Sequence, residues 1–564
     1  MDQVRRWAPA AWALALAVLL LGPALAPGYL LTYDMVWVPD LALRGDFLGL
    51  GTALPRAVPS DAVVAVLDQV VPGMLLQKVV LLGGLVLGGI GAARLAGPSL
   101  LARLVATSVY VWSPFVVERL WIGHWPVLLC WAVLPWVVLE GVRFRDQGRL
   151  GAALPFLLLA GSLSVNAGLM TAAAVLAVGL TRRGAARLVT AVVAANAPWL
   201  VAGLLHAGDA TSSAAGSVFG LHGDGLPAPL AALTLGGIWN ADVVPGSRDV
   251  IVLPLVYAVA LVAAAVAGAR PLWRRLGRRT TGALIALWVA GYAVALLSWA
   301  APDALGAVAE HVPGGGVLRD GTRFLALCAP LTAALVAAGA VRLAEALAGV
   351  PLRVVAGVGA ALLPLALMPD AGWGISGELR TASYPGDYAA ARATLADDRP
   401  GGDLLVLPFS SYRAPAWNHG RPVLDPLPRY LQPDYVVDDR LSVDGRLLAG
   451  EDPRGPEVLA ALALPDPEAR AAALGRIGIG LVARETDTPQ GTTGETPVAG
   501  TPVYTGDDLE VIAIDTPVRD RGVSAGWWIA LALAWGSYLG VLAVGGWNVF
   551  QFGSATIHRK SGSG

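Results

Sequence analysis

Charge is what this chain has least of. Only 14% of its 564 residues are Asp, Glu, Lys or Arg, while 55% are hydrophobic. An average soluble protein carries about 25% charge. Mean hydropathy is +0.61. These values exclude a soluble globular protein and a disordered chain. A formal net charge of −1 supplies no field to attract polyanions, which excludes a nucleic-acid binder. Lysine is nearly missing: Lys78 and Lys560 stand against 38 arginines. Cysteine is equally sparse. Cys130 and Cys328 both sit in apolar runs, so no disulfide framework is expected. There is no P-loop, no Cys/His spacing for zinc and no G-x-S-x-G elbow. Acids within the apolar runs are few, which argues against an ion-coupled pump. What remains is a multi-spanning membrane protein.

Apolar runs of about 20 residues read as membrane helices. They lie at 8–29, 72–92, 99–116, 125–141, 188–206, 250–268, 281–300, 323–341, 351–368 and 523–545. The run 150–181 is long for one helix and short for two, and its middle carries Ser162, Ser164 and Asn166. Arginine clusters fix the parity by the positive-inside bias. They fall at Arg5–Arg6, Arg94/Arg103, Arg143–Arg149, Arg182–Arg187, Arg270–Arg279 and Arg342/Arg353, with Arg559 and Lys560 in the tail. All share the cytoplasmic side if 150–181 is a hairpin of two short helices. The expected architecture is therefore about 12 transmembrane helices with both termini cytoplasmic. Arg5–Arg6, an apolar stretch and Ala24–Ala26 imitate a signal peptide, but Pro27 disfavours cleavage; the first span is expected to stay.

Residues 1–369 then form a transmembrane domain with outer loops 30–71, 207–249 and 301–322. A polar block at 370–522 lies outside the membrane, and 523–564 hold the final span and tail. In the block, 387–397 reads as a helix and 403–408 as a buried strand. Two short helices follow over 457–474, then strands at 477–483 and 509–514. Strand–helix alternation predicts an α/β domain, with 417–439 as long ordered loops.

Four groups could carry chemistry. Asp34 follows the first span beside Tyr33 and Trp37. A carboxylate partly desolvated there is expected to have a raised pKa and to suit a general base; a solvated loop acid near an aromatic belt is the plainer alternative. Asp40, Asp46, Asp61 and Asp68 share its loop. Glu118, Arg119, Trp121 and His124 lie between the third and fourth spans, where charge is costly unless paired or functional. Arg119 could bind phosphate with help from His124, or the group could anchor the interface. Glu118 and Arg119 are adjacent, so each needs a partner elsewhere. Arg319 and Arg323 open a span from the outside, against the positive-inside bias, and suit a phosphate cradle. Asp320 or Thr322 could instead cap that helix. Trp239 and Asn240, and Trp417 in the polar block, are sugar-contacting residue types that ordered loops also use.

Thr32-Tyr33-Asp34-Met35, the segment Trp121–Trp125 and Arg319-Asp320-Gly321-Thr322-Arg323-Phe324 together resemble the GT-C membrane glycosyltransferases. The likeness is to actinobacterial arabinofuranosyl- and mannosyltransferase-like proteins and the related YfhO-type proteins. The resemblance implies a GT-C-like fold with a C-terminal extracytoplasmic α/β domain. It implies inverting transfer of a sugar, arabinofuranose or mannose, from a polyprenyl-phosphate donor to an envelope glycan or lipid at the outer face of the plasma membrane. Asp34 would be the base, and Arg119, His124, Arg319 and Arg323 would hold the donor phosphate. Glu118, Trp121, Trp239, Asn240 and Trp417 would contact the acceptor or sugar. The first loop lacks an adjacent Asp-Asp or Asp-Glu pair, so Asp40 and Asp61 stay open as alternatives, and no metal or other cofactor is expected, with a divalent ion left open. Two rival readings are a transporter or flippase for lipid-linked glycans, with polar breaks at mid-membrane, and a non-catalytic scaffold.

Overall fold

The computed structural model describes residues 2–207, 218–312, 314–397, 400–443, 446–448, 450, 452–488 and 496–561, with side chains described from Arg6 to Gln551 apart from 442–447. Arg5, Arg559 and Lys560, and part of the loop 207–249, lie outside the described side chains and residues. Among the described residues nine helices are long and apolar enough to cross a membrane: Arg6–Leu25, Gly73–Ala96, Leu100–Trp121, Trp125–Gln147, Ala185–Leu205, Val252–Ala300, Gly321–Glu345, Val350–Leu367 and Ala525–Gln551. Val350, Leu352, Val354, Val355 and Val358 are exposed, an apolar surface that water disfavours and lipid tolerates. These are the properties of a membrane-embedded helical protein.

Two expected spans, 250–268 and 281–300, appear as one 49-residue helix broken at Gly277, where φ is 75° and ψ 165°. A straight helix of that length would reach about 74 Å, far beyond a bilayer core. Both halves pack against the segment 324–339. Gly268 abuts the backbone of Leu335 and Gly339, while Gly291 abuts Phe324 and Leu327. The run 150–181 also divides in two, Ala153–Ala160 and Val165–Gly179, with Ser164 capping the second helix through Ala167 N at 3.4 Å.

The arginine-rich connections gather at one end of the bundle. Arg145 bonds Thr280 Oγ1 at 3.0 Å, Arg279 bonds the Leu180 carbonyl at 2.7 Å and Arg187 bonds the Gly148 carbonyl at 3.1 Å. Arg275 reaches the Leu95 carbonyl.

The opposite end carries a small α/β region, here termed the head. Its five-stranded sheet runs in the order Thr501–Thr505, Leu509–Ala513, Ile479–Glu485, Asp403–Leu407, Tyr435–Val436. The first three strands pair antiparallel and the last three parallel. Helices Gly386–Asp397, Arg454–Leu462 and Pro467–Ile477 accompany it. Strand Asp403–Leu407 is buried throughout, because its alternating side chains serve two cores. Leu404 and Val406 join the core continuous with the bundle. Leu405 and Leu407 join a second core with Val458, Leu462 and Leu474. The expected helices and strands are present within a few residues. The strand at Thr501–Thr505 was not expected, and the 417–439 loops contain short strands at Val423–Leu424 and Tyr435–Val436.

Head and bundle are sewn together by the segment after the first span. Tyr29–Leu30 pairs antiparallel with Thr381–Ala382. On its other side the buried Gln77 amide donates to the Leu30 carbonyl at 2.8 Å and accepts from its N–H at 3.0 Å. A side chain thus supplies what a further strand would have supplied.

Candidate functional site

Three of the four sequence-nominated groups meet where this segment reaches the head. Residues 32–35 form a tight turn, with Met35 N–H donating to the Thr32 carbonyl at 2.8 Å. The turn rests on the break after the helix Pro114–Trp121. Thr32 Oγ1 donates to the Trp121 carbonyl at 2.8 Å, and Asp34 N–H donates to the Ile122 carbonyl at 3.0 Å. Gly123 permits this approach. Its φ is +89°, and a Cβ there would lie 2.2 Å from Met35 N. Residue 124 then caps the helix Trp125–Gln147, and this fixes where its imidazole sits.

Asp34 receives two hydrogen-bond partners. His124 Nε2 lies 3.1 Å from Oδ2, and the Tyr412 hydroxyl donates to Oδ1 at 2.5 Å. His124 Nδ1 lies 3.1 Å from Arg119 Nη1. A guanidinium can only donate, so Nδ1 accepts and the ring proton is inferred to be on Nε2, directed at Asp34. Arg323 Nη2 stands 3.2 Å from the same Nε2, a close approach of positive charge. Asp320 ties the two arginines together. It accepts from Arg119 at 3.2 Å and Arg323 Nε at 2.9 Å. Thr322 bonds both Asp320, at 2.6 Å, and Arg119. Arg323 also reaches Asn166 Oδ1 at 3.3 Å.

Arg119, Asp320 and His124 are buried, whereas 40% of the Asp34 side chain is accessible. Burial would raise the Asp34 pKa. The His124 and Tyr412 hydrogen bonds and the Arg323 charge override it and bring the group down to about 2. The raised pKa expected from the sequence is therefore corrected: the neighbours favour the anion more strongly than burial opposes it. Burial, then the Arg323 charge, lowers His124 to about 4 despite Asp34, so the imidazole is neutral at pH 7. Burial and the Asp34 charge raise Tyr412 well above its ordinary range, so its phenol stays a donor. Burial works against Asp320 ionisation, but Arg119 and Arg323 hold its carboxyl far below the usual range. Asp320 is the helix N-cap residue without a capping hydrogen bond from its side chain, because both oxygens are engaged by these partners.

Not every nominated residue is drawn in. Glu118 faces away from Arg119, toward Asp224 and Arg248 across Gly236. Arg319 stacks over Phe219 at 5.0 Å, and its charge acts on Tyr412. Trp121 and Trp239 pack with Tyr33 against Ile122, Ile238 and Val243. Asn240 caps a short turn through Asp242 N at 3.0 Å and lies beside the Tyr33 side chain. These three form a wall beside the Asp34 turn. Trp417 lies in the head–bundle seam, 5.3 Å from the Tyr384 ring and 6.0 Å from that of Tyr388. Asp40 is 59% exposed and pairs with Arg392 at 2.5 Å. Asp61 pairs with Arg429 at 3.2 Å.

Tyr412, Asp320 and Asn166 are the site members that sequence reasoning did not assign. Asp320 and Asn166 were visible as polar residues at span ends, whereas nothing local marks Tyr412. Among the described residues no group of three or more His, Cys, Asp or Glu side chains could hold a metal ion. The site can hold an ionised, accessible carboxylate in a fixed plane with two arginines behind it. Compared with known proteins, the chain matches no family model and no curated protein.

Proposed function

We propose that the protein is a membrane glycosyltransferase that moves a sugar, arabinofuranose or mannose, from a polyprenyl-phosphate donor to an envelope glycan or lipid. In this reading the arginine-rich end of the bundle faces the cytoplasm of a bacterial cell and the head lies outside the plasma membrane. The halves of the 49-residue helix and the two arms of 150–181 count as separate passes, giving twelve, with both termini inside. The observation that carries the reading is the convergence of Asp34, His124, Arg119 and Arg323 at the head end. A scaffold has no need of such a meeting. The polar turn on which a transporter would depend has its Asn166 bonded to Arg323, at this same end of the bundle.

The acceptor oxygen attacks the anomeric carbon, the carbon–oxygen bond to the carrier phosphate breaks, and the phosphate leaves with the electron pair. A single displacement inverts the anomeric configuration. Asp34 takes the acceptor proton. A carboxylate with so low a pKa is a weak base, so it takes that proton late, once the forming bond has made the acceptor oxygen acidic. Arg323, with Arg319 at the rim, meets the departing phosphate charge, and Arg119 acts behind them through Asp320 and His124. Purified protein in liposomes, given polyprenyl-phosphate arabinofuranose or mannose and a glycan acceptor, should transfer sugar. Asp34→Asn should lose about 10²–10⁴ in rate. Full activity in a folded Asp34→Asn variant would remove Asp34 from the chemistry.

A further inference from the structure

Asp34 is held on one side by the bundle and on the other by the head, and the head side is built with unusual redundancy. Strand Tyr412–Arg413 pairs antiparallel with Val423–Leu424, placing Tyr412 opposite Leu424. Val423–Leu424 in turn grips the backbone beside Asp34. Tyr33 N–H donates to the Pro422 carbonyl at 2.7 Å, and Leu424 N–H donates to the Tyr33 carbonyl at 2.8 Å. Tyr412 and Asp34 thus belong to one hydrogen-bonded patch and move together.

Neighbouring residues on a strand point to opposite faces. Tyr412 reaches Asp34, so Arg413 is driven into the head. There it is 5% exposed and meets Asp425 at 2.9 Å, Glu485 at 2.6 Å and the Pro408 carbonyl at 2.7 Å. Glu485 is bonded in addition by the Tyr388 hydroxyl. A guanidinium held by the buried Asp425 and Glu485 side chains and a carbonyl cannot turn without leaving Asp425 uncompensated. The strand cannot swing, and the phenol cannot be a loose plug.

We propose that Tyr412 is a positioning residue of the Asp34 site: its hydroxyl, delivered by the head, fixes the plane of the Asp34 carboxylate and holds it as the anion. What that anion does in catalysis rests on the glycosyltransferase reading, but the positioning does not. The groups that face this pair are His124 from the start of the helix Trp125–Gln147, Arg323 from the helix Gly321–Cys328, and Arg429 from the head. Arg56 and Arg319 act on the phenol. These charged neighbours are cationic and remain when Tyr412 is changed, so the hydroxyl can be tested alone.

The measurement is esterification of Asp34 by a diazoacetamide in the intact protein at pH 4.5–5, followed by peptide mass spectrometry, with exposed Asp40 as internal reference. The diazo carbon takes the carboxyl proton before the carboxylate displaces nitrogen, so only the protonated carboxyl reacts. Losing one donor should raise the Asp34 midpoint by about one pH unit, so Tyr412→Phe should label about tenfold faster than the unaltered protein. Replacing Tyr412 by 4-aminophenylalanine keeps ring length and a donor and should restore the slow rate. Equal rates in all three proteins would overturn the proposal, as would fast labelling in both variants, which would mean that ring fit and access matter rather than donation. No substrate is involved. If sugar transfer is never found but the labelling contrast holds, the functional reading fails and this inference stands.

Discussion

Glu118 and Arg119 are adjacent on one helical turn, and each enters a different ionic network. Arg119 joins Asp320, His124, Arg323 and Asp34. Two carboxylates balance two guanidiniums, and Asp34 remains accessible. Glu118 joins Asp224 and Arg248. Here two carboxyls share one guanidinium, and all three residues are at most 3% exposed. Arg248 bonds Asp224 and donates to Thr234 at 2.9 Å. Glu118 Oε1 and Asp224 Oδ1 have no hydrogen-bond partner among the described residues. The carboxyls respond in opposite ways. Burial raises Asp224 even against Arg248, whereas Asp34 is drawn down to about 2. Both networks start from neighbouring residues of one helix, Pro114–Trp121, and both set carboxyls against guanidiniums. Access and charge balance separate them: the first keeps an accessible anion at its edge, and the second fastens the loop after residue 218 to the bundle.

The contrast can be broken most sharply at Asp34. Asp34→Asn should lower transfer by about 10²–10⁴, with thermal stability in detergent falling by no more than protonation of Asp34 costs; a larger loss of stability would make the first network structural after all. Gly123→Ala alters no charge. Its Cβ would collide with Met35 N at a backbone conformation that disfavours side chains. Displacing Asp34 by even 1 Å should cost about 10²-fold in rate, and retained activity would show that the turn needs no such contact. In the second network, Arg248→Met should destabilise the fold by about 3–5 kcal/mol, because the carboxyls lose their counter-charge. Transfer per folded molecule should be unchanged. If activity falls and stability does not, the two networks are coupled.

The most gradual effect is in the pH dependence. The folded His124 pKa, about 4, lies below its ordinary 6.5. Between those values the unfolded chain binds more protons. Stability from this group is complete above about pH 6.5 and declines as pH falls toward 4, by about 3 kcal/mol in all. Asp34 adds a separate loss below its ordinary 3.8, as pH falls toward about 2. His124→Gln should flatten the upper limb of denaturation curves recorded at stepwise pH and shrink the lower one, because His124 is the main partner holding the Asp34 carboxyl down.

Much of this was legible in the chain. Apolar runs ending at arginines marked the bundle, and the polar turn at Ser162–Asn166 separated two short helices. Asp34, Arg119, His124 and Arg323 stood out because a charge at the end of an apolar helix needs a reason. The rest depended on distances that no local pattern encodes. Asp34 looks like a desolvated acid until His124, 90 residues later, and Tyr412, 378 residues later, bond it and together with Arg323 reverse the sign of its shift. Glu118 is indistinguishable in sequence from a site residue; only the fold turns it toward Asp224. Trp417 and Trp239 were sugar-contacting types, and packing decides their surroundings: one sits among the tyrosines of the seam, the other beside Tyr33.

The separation of partners along the chain also sets an order in time. Arg119 waits for Asp320, 201 residues downstream, and at about 5–20 residues per second that is roughly 10–40 s of synthesis. Throughout that interval the growing bundle holds an arginine whose final counter-charge does not yet exist. Asp34 waits almost twice as long for Tyr412, so the carboxylate acquires its finished surroundings only after most of the protein has been made. An immature chain therefore carries the acid without the apparatus that governs it.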